Sequence, residues 1–481
     1  MSQTASTIIK TYGFLLDGEW LTEGAASQVR APSDGTVIAA ITQAQRQHVA
    51  AAISAAVKAF AVTRRLGTFE RQRVLRTVAQ GLTDRREEFA LTLAREAGKP
   101  LKAARVEVER AILTFTVAAE ESTRIYGEWL PLDVQPAAAG RWAIVRRFPV
   151  GPIATITPFN FPLNLVAHKW APAIAAGCTI VHKPAPQTPL CSLLLAELVQ
   201  QAGWPAGALN VLPLSVPDAE PMVTDDRLKM LSFTGSAAVG WELKKKAGKK
   251  RVTLELGGNA AVIVHSDADL DYAAERCALG GFSYSGQTCI SVQRIFVERS
   301  AFERFLQAFL PRVAKLKLGD PLDEATDVGP MISEAAAERT HAWVQEALAA
   351  GAQLLCGGHR HKALLEPTVL TGTQPEQRVN CQEVFAPVVT VEPYHGFADA
   401  LKAVNDSAYG LQAGVFTRDA KLLFSAFEEL EVGGVIAGDV PSFRIDPMPY
   451  GGVKDSGLGR EGLRYAIEEM TERKILVANL P

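Results

Sequence analysis

A regular alternation of strand-like and helix-like segments from Gly151 onward constrains the fold of this chain most strongly. Apolar segments of strand length are separated by segments with helical spacing such as PLNLVAHKWAPAIAAG; the strand-like ones are GPIATITP, CTIVHKP, ALNVLPL, LKMLSFTG and RVTLELGG. Apolar strands that alternate with helices favour a parallel sheet covered on both faces. Because open parallel sheets bind ligands beyond the carboxyl ends of their strands, this segment is predicted to contain a ligand site.

A second alternation follows, comprising AAVIVHS, QRIFVE, APVVTVEPY, LQAGVF and GGVIAG. A chain of 481 residues is well above the size of one ordinary domain. The predicted fold class is therefore α/β, with two α/β domains in series and a cleft between them. Residues 1–125 are predicted to be mainly helical, after a short strand and turn in FLLDGEWL.

A small β element is predicted apart from the two domains. The stretch from Leu130 to Arg147 contains LPLDV, a loose PAAAG and RWAIVRRF, a pattern typical of a hairpin. The final KILVANL is predicted to be another strand, which could pair with this hairpin or with a second subunit.

Composition excludes several classes of partner. The chain is 48% hydrophobic and 21% charged with a formal net charge of −2, which gives no reason to expect nucleic acid or an anionic membrane. No apolar run approaches the roughly 20 residues that span a bilayer, and the N-terminus lacks the order of segments of a signal peptide. The six cysteines form no CxxC pair, which fits neither a disulfide framework nor a zinc site. A cytoplasmic protein with free thiols and no metal is expected.

The stretch LSFTGSAAVG is a candidate nucleotide site, although no GxGxxG follows a strand in this chain. Gly235 and Ser236 lie between a predicted strand and a predicted helix, where exposed N–H groups suit a pyrophosphate. A strand-to-helix turn also needs glycine for backbone reasons alone, so both interpretations stay open at this point.

Three polar residues carry the candidate chemistry. Cys289 lies among small polar residues in SGQTCIS; its reactive form is the thiolate, and a free cysteine has a pKa of about 8.5, so a helix end or polar surroundings must favour it. Glu255 ends the strand in VTLELGGN and is either functional or a surface carboxylate. Asn160 in TPFNFP either satisfies a turn or donates its amide to an oxyanion. In QEVFAP, Glu383 and Phe385 offer a polar partner and a stacking ring, or simply core packing.

Taken in order, TPFNFP, KPAPQTP, FTGSAAVG, LELGGN, SGQTCIS, EVFAP and PYGGVKDSGLGREG closely resemble the aldehyde dehydrogenase superfamily. The resemblance extends from FLLDGEW to the C-terminal strand. It implies a Rossmann-type cofactor domain that lacks GxGxxG, formed by residues 1–127 and 148–254, and a catalytic domain of residues 255–456. It also implies an oligomerisation element of residues 128–147 and 468–481, at the contact of a homodimer or homotetramer.

The resemblance implies NAD(P)-dependent oxidation of a small-molecule aldehyde to the carboxylic acid. Cys289 would attack the aldehyde carbon, with the Asn160 amide and the Cys289 N–H as oxyanion hole. Hydride transfer to the nicotinamide would leave a thioester. Glu255 would then activate the water that hydrolyses it.

Cofactor contacts follow from the same resemblance. Lys183 should bond the adenosine ribose, Gly235 and Ser236 should approach the pyrophosphate, and Glu383 should hold the nicotinamide ribose. The implied contacts together are Thr157, Pro158, Phe159, Lys183, Ala185, Pro186, Gly235, Ser236, Val239, Leu256, Gly257, Glu383 and Phe385. NAD-preferring relatives often have a glutamate where this chain has Pro186, so the carboxylate that would repel a 2′-phosphate is missing. NAD or NADP is expected, with NAD favoured.

The candidate substrate pocket comprises Arg110, His168, Thr288, Arg444 and Tyr450. In some relatives the position of His168 carries a basic group that handles small polar or anionic aldehydes. Alternatively, His168 packs in the core and the arginines pair with Glu107 or Asp446. The stretch MPYGGVKDSGLGREG resembles that of relatives acting on lactaldehyde, semialdehydes and phosphonoacetaldehyde, and Thr288 argues against dedication to glyceraldehyde 3-phosphate.

Three other functions stay open on the sequence. A CoA-acylating aldehyde dehydrogenase would pass the acyl group to coenzyme A, although Glu255 argues against it because a thiol acceptor needs no water-activating carboxylate. A non-catalytic binding or structural protein would keep the fold without the reaction. A cysteine hydrolase without a cofactor needs a histidine near the thiol, and the sequence offers no specific candidate.

Overall fold

The computed structural model describes residues 9–479 as an α/β protein with two large sheets. Its α-helices are α1 Arg46–Thr63, α2 Thr68–Asp84, α3 Arg86–Ala97, α4 Leu101–Glu121, α5 Asn164–Ala176, α6 Leu190–Gln201, α7 Glu220–Thr224, α8 Ala237–Lys246, α9 Leu270–Phe282, α10 Phe302–Ala314, α11 Glu334–Ala349, α12 Arg378–Cys381, α13 Phe397–Asn405, α14 Ala420–Glu429 and α15 Leu463–Glu469.

The strands of residues 9–479 are β1 Thr11–Tyr12, β2 Phe14–Leu16, β3 Glu19–Leu21, β4 Ala26–Arg30, β5 Val37–Thr42, β6 Glu128–Pro131, β7 Arg141–Pro149, β8 Pro152–Ile156, β9 Thr179–Lys183, β10 Leu209–Val211, β11 Met230–Thr234, β12 Arg251–Glu255, β13 Ala261–Val264, β14 Arg294–Glu298, β15 Gln353–Cys356, β16 Arg360–His361, β17 Leu364–Leu365, β18 Thr368–Thr371, β19 Val388–Tyr394, β20 Tyr409–Gly410, β21 Gln412–Phe416, β22 Gly434–Ala437, β23 Val453–Lys454, β24 Gly457–Leu458 and β25 Thr471–Asn479.

The first large sheet has the strand order β24-β12-β11-β8-β9-β10-β2-β3. Strands β8 to β12 are parallel, as the alternation predicts, and the antiparallel strands β2 and β24 flank them. Side chains alternate between two cores: Ile153 and Ile180 pack against the α2–α6 side, and Ala154 and Val181 pack against α1 and α7. Burial on both faces explains why these strands are continuously apolar.

The second large sheet has the order β15-β18-β19-β14-β13-β21-β22 and is parallel apart from β15. Helices α9 and α10 cover one face, to which Val262 contributes, and α13 and α14 cover the other, to which Ile263 contributes. The five predicted strands of the second alternation are all present. The predicted fold class is therefore confirmed.

A separate three-stranded antiparallel sheet has the order β25-β7-β6. Residues Thr471–Asn479 pair with Pro149–Arg141 of the same chain, so the predicted hairpin and C-terminal strand meet as expected. Ile475, Leu476 and Val477 of β25 are exposed. Residues 480 and 481, which the prediction included, lie outside the described residues.

The N-terminal prediction is wrong in one respect. Beyond FLLDGEWL, residues 26–42 form a further antiparallel pair, β4 and β5, and β1 joins it. Val37, Ile38 and Ile41 give β5 the branched side chains that favour strands, and the segment PSDGT supplies the turn before it. Within residues 9–479, no helix is both long and apolar enough to cross a membrane.

Candidate active site

A cavity of about 860 Å³ lies where the carboxyl ends of the first sheet face the second α/β unit. Asn160 follows β8, Gly235 follows β11 and Glu255 ends β12, whereas Cys289 and Glu383 come from the second unit; all five line this cavity. The structure therefore brings together the three candidate chemical residues, which are separated by up to 129 positions in the sequence (160 to 289). This is the predicted cleft.

Cys289 is half-buried and its Sγ lies 3.0 Å from the Tyr450 hydroxyl oxygen. Burial raises the pKa of the Cys289 thiol to about 12, and the Tyr450 hydroxyl only partly offsets this. The expectation that polar surroundings favour the thiolate is thus wrong for this structure, since Ile290, Leu411 and the Tyr450 ring pack around the sulfur. The thiol must therefore lose its proton for the sulfur to attack.

Asn160 is buried, and its Nδ2 donates a hydrogen bond to the Gln287 carbonyl at 3.0 Å. Its Oδ1 has no partner among residues 9–479. The Cys289 backbone N–H likewise donates to no acceptor in the described chain. One amide N–H of Asn160 and the Cys289 N–H therefore remain available to an oxyanion beside the sulfur.

Glu255 is 3% exposed, and within the described residues neither of its carboxylate oxygens has a hydrogen-bond partner. Burial raises its pKa well above the ordinary value, and the negative charge of Glu461 raises it further. A Cβ at position 451 would lie 2.9 Å from Glu255 Oε1, so Gly451 leaves room for the carboxylate. An unpartnered carboxyl with a raised pKa in a cleft is suited to general base chemistry.

A buried ionic network lies beside Glu255 and was missed by sequence reasoning. Glu461 accepts from Arg444 Nη2 at 3.0 Å and from Lys169 Nζ at 3.3 Å. Although burial opposes it, the charges of Lys169 and Arg444 lower the pKa of Glu461 to about 2. The available signal was a lysine inside the apolar helix segment LVAHKWAPAIAA, because a buried lysine needs a partner.

The candidate substrate residues separate into two groups. Arg110, Thr288, Arg444 and Tyr450 line the cavity, and the Arg444 guanidinium lies 3.7 Å from the Tyr450 ring centroid. The prediction that His168 belongs to the substrate pocket is not supported, because its side chain is 2% exposed and lies outside the cavity wall.

Asp446 explains the position of His168. Its Oδ1 accepts from His168 Nε2 and from Arg110 Nη2, both at 2.7 Å. Burial, together with the charge of Arg444, lowers the pKa of His168, while the Asp446 carboxylate opposes this. Of the alternatives stated above, Arg110 does pair with Asp446, and Arg444 pairs with Glu461 instead.

Most of the implied cofactor residues lie in the cavity wall: Pro158, Phe159, Gly235, Ser236, Leu256, Gly257, Glu383 and Phe385. Ser236 precedes α8, whose first-turn N–H groups suit a phosphate. Glu383 Oε1 accepts from Gly258 N at 2.9 Å, and burial raises the Glu383 pKa to about 7. A Cβ at position 257 would lie 2.4 Å from Glu383 Oε2, so a larger residue there would displace this carboxylate.

The remaining implied contacts lie outside the wall: Thr157, Lys183, Ala185, Pro186 and Val239. Lys183 ends β9 and is buried, and within residues 9–479 its Nζ makes one long hydrogen bond, 3.4 Å, to the Pro184 carbonyl. Donors of this ammonium are thus free for a hydroxyl ligand. The helix N-terminus, the glycine cradle of Glu383 and this lysine together fit a dinucleotide.

Comparisons with known proteins agree with this geometry. The sequence profile of the aldehyde dehydrogenase family matches residues 20–476. A 3-sulfolactaldehyde dehydrogenase from Priestia aryabhattai is 45% identical over 478 residues, covering 99% of this chain and 100% of that protein.

Two solved structures resemble the fold closely. Aldehyde dehydrogenase 21 from Physcomitrella patens, in complex with the reaction product succinate, has a TM-score of 0.97 and 46% identity over 98% of this chain and 99% of that one. A glyceraldehyde-3-phosphate dehydrogenase from Methanocaldococcus jannaschii, complexed with NADP, has a TM-score of 0.92 and 40% identity over 96% and 100%. The resemblance predicted from the motifs is therefore confirmed over nearly the whole chain.

Proposed function

Because the chain belongs to the aldehyde dehydrogenase family and oxidises aldehydes to carboxylic acids, we propose that Cys289 is its nucleophile, Asn160 its oxyanion donor and Glu255 its general base. The observation that carries this proposal is the meeting of a thiol, a free amide N–H and an unpartnered carboxyl in one cavity. The test is reduced-cofactor formation with a panel of aldehydes, with and without coenzyme A. Turnover only with coenzyme A would contradict hydrolysis.

The residues divide the chemistry between them. The S–H bond of Cys289 breaks, with its proton passing to solvent water, as the sulfur bonds to the aldehyde carbon; the resulting oxyanion accepts from the Cys289 N–H and from Asn160 Nδ2. When bound, the nicotinamide supplies the acceptor for the hydride that leaves this carbon. Glu255 takes a proton from the water that attacks the thioester; the C–S bond then breaks and the acid leaves. A carboxyl with a raised pKa suits this step near neutral pH.

The substrate class favoured by the charges of the cavity is a small aldehyde with a negatively charged tail. Arg110 pairs with Asp446, whereas Arg444 and Lys169 share the single carboxylate of Glu461. The three cations therefore outnumber the two carboxylates that pair with them, which favours a substrate with a negative group. The proposal is also supported by the relatives, whose names include a sulfonated aldehyde and whose ligands include succinate.

Replacing Arg110 with methionine should raise the KM for succinate semialdehyde by about 10- to 100-fold, the loss of a charge-assisted hydrogen bond. The KM for butyraldehyde should change by less than about twofold because this aldehyde has no charged tail to pair with the guanidinium. Steady-state kinetics with both aldehydes measures this. Arg105→Met is the matched control, since Arg105 lies on the same helix but pairs with Glu87 at the surface. Equal losses for both aldehydes would contradict an anion-binding role.

We propose NAD or NADP as the cofactor, with NAD favoured. Pro186 is exposed just beyond the end of β9. Pro186→Glu should raise the KM for NADP about tenfold and leave that for NAD within about twofold, because a carboxylate repels a 2′-phosphate and accepts from a 2′-hydroxyl. Pro186→Gln is the control for backbone freedom without charge. If both variants raise the KM for NADP equally, the negative charge at position 186 is not the cause of the change.

The domain division given above is likewise a proposal, as is a cytoplasmic homodimer or homotetramer formed through residues 128–147 and 468–481. It is supported by the exposed apolar side chains Ile475, Leu476 and Val477 on β25, and by Trp129 on β6, which is 65% exposed. Exposed apolar strands of this kind favour an interface between copies. Light scattering after size-exclusion chromatography measures the assembly directly.

A further inference from the structure

A buried ion pair, Lys99 with Glu107, lies at the base of the cavity and has no part in the chemistry above. Lys99 follows α3 and Glu107 lies in α4, and both side chains are 1% exposed or less. Burying two charges is costly even when they pair, so such a pair rarely adds stability over apolar residues. Its contacts therefore indicate another use.

Glu107 holds the segment that carries Asn160. Its Oε1 accepts from the backbone N–H groups of Leu163 at 3.0 Å and Asn164 at 3.1 Å. Helix α5 begins at Asn164, and in the described chain its N-cap residue Leu163 provides no side-chain cap. The Glu107 carboxylate replaces that cap and suits the positive end of the helix. The turn from Asn160 into α5 is thereby fixed at its far end.

Lys99 connects the same turn to the loop of the cysteine. Its Nζ pairs with Glu107 Oε2 and lies 3.6 Å from the Phe161 ring centroid and 4.3 Å from that of Tyr284. The two rings meet edge to face at 6.0 Å. A cation over two aromatic faces is attracted to both, most strongly when desolvated. Phe161 adjoins Asn160, and Tyr284 begins the turn that leads to Cys289.

The Tyr284 turn needs such support. Tyr284 and Ser285 have φ of 50° and 55°, a left-handed conformation that non-glycine residues adopt at a cost. The Tyr284 hydroxyl donates to the Ala97 carbonyl at 3.1 Å, and Ser285 Oγ donates to the Gly329 carbonyl at 2.6 Å. Two residues later, the Gln287 carbonyl accepts from Asn160 Nδ2. The two halves of the oxyanion site thus meet at one hydrogen bond.

We propose that Lys99 and Glu107 are positioning residues that hold the Asn160 turn against the Cys289 turn, so that the Asn160 amide and the Cys289 N–H converge on one oxyanion. This inference rests on the proposed function, because it assumes the oxyanion role of Asn160. It adds two residues that contact neither the reacting carbon nor the sulfur.

The test is the double variant Lys99→Met/Glu107→Gln, which removes both charges at once and leaves neither buried alone. The rate of the first turnover of reduced cofactor should fall about tenfold, less than the 10²- to 10³-fold loss when an oxyanion donor is removed. Arg86→Met/Glu109→Gln is the matched control, since this exposed pair also joins α3 to α4. Its first-turnover rate should stay at the wild-type value. An unchanged rate in the Lys99/Glu107 variant, with only a lower Tm, would overturn the inference.

The same double substitution in an Asn160→Ala background tests the positioning role of Lys99 and Glu107 separately from the oxyanion role of Asn160. If Lys99 and Glu107 act through Asn160, replacing them in the Asn160→Ala protein should lower the first-turnover rate by less than about twofold. The reason is that the effects of groups acting as a unit are not additive. A full tenfold loss in that background would overturn the positioning role. A wild-type rate for Asn160→Ala alone would instead refute the oxyanion assignment. Should the double variant not fold, Phe161→Leu replaces it, because this change keeps both charges paired and removes the ring that Lys99 contacts. A fall of about threefold, absent in the Asn160→Ala background, is then expected.

Discussion

Replacing Cys289 with alanine is expected to abolish reduced-cofactor formation with every aldehyde, while the fold and dinucleotide binding stay intact. The Sγ is the atom proposed to capture the carbonyl carbon, and removing a nucleophile costs about 10⁴-fold or more in rate. The truncation removes one sulfur from a half-buried site beside Tyr450, so little stability depends on it. Stopped-flow absorbance of the reduced nicotinamide measures the rate, and calorimetric titration with NAD and NADP measures binding.

Cys356→Ala is the matched control for this prediction. Cys356 is also a half-buried free thiol, but it lies in β15, at the edge of the second sheet and outside the cavity wall. Its loss should leave turnover within about twofold, as for a substitution away from any special feature. Near-normal turnover of Cys289→Ala would show that the nucleophile has been misassigned. Loss of dinucleotide binding together with turnover would mean that the substitution disturbs the cavity rather than the chemistry.

The two sheets were predictable because their strands are buried on both faces. Segments such as GPIATITP and AAVIVHS must be apolar throughout when helices cover both sides, so their pattern differs from that of the helices between them. The pair β4 and β5 lies partly exposed at the edge of the molecule, and its short segments give a weaker signal. Sequence alone therefore predicted the cores better than the edges.

The meeting of Asn160, Gly235 and Glu255 was predictable for a related reason, whereas the place of Cys289 beside them followed from the family resemblance. Parallel strands place their carboxyl ends along one edge, so residues following β8, β11 and β12 had to lie close together. The ionic surroundings were not predictable in this way. Lys169 and Glu461 are 292 residues apart, and His168 and Asp446 are 278 apart, so no local pattern indicates these pairs.

The pKa of the Cys289 thiol was likewise not predictable from the local sequence. Ser285, Gln287, Thr288 and Ser291 make the sequence around Cys289 polar, which suggested a favoured thiolate. In the structure Leu411 and Tyr450 approach the sulfur from distant parts of the chain, and this burial raises the thiol pKa to about 12. Desolvation depends on which residues pack together and not on the neighbours in sequence.

Replacing Glu255 with glutamine is expected to leave the hydride step nearly intact and to stop the enzyme at the thioester. Glutamine conserves the volume of the glutamate but cannot accept a proton from water, so deacylation loses its base. A burst of about one reduced cofactor per active site should therefore precede a steady rate at least about 10²-fold below wild type, the lower range for general base catalysis. Stopped-flow absorbance gives the burst, and mass spectrometry of the quenched protein identifies the acyl group on Cys289.

The pH dependence gives this prediction a second measurement. Glu255 acts as a base only when ionised, and burial together with the Glu461 charge raises its pKa. The steady rate of the wild type should thus rise with pH through that raised pKa, and Glu255→Gln should lack this rise. Glu392→Gln is the control, since Glu392 is also partly buried but accepts from Thr373 away from the cavity. An unchanged steady rate in Glu255→Gln would remove Glu255 from water activation, and the coenzyme A alternative would then regain its strongest support, because a thiol acceptor needs no such base.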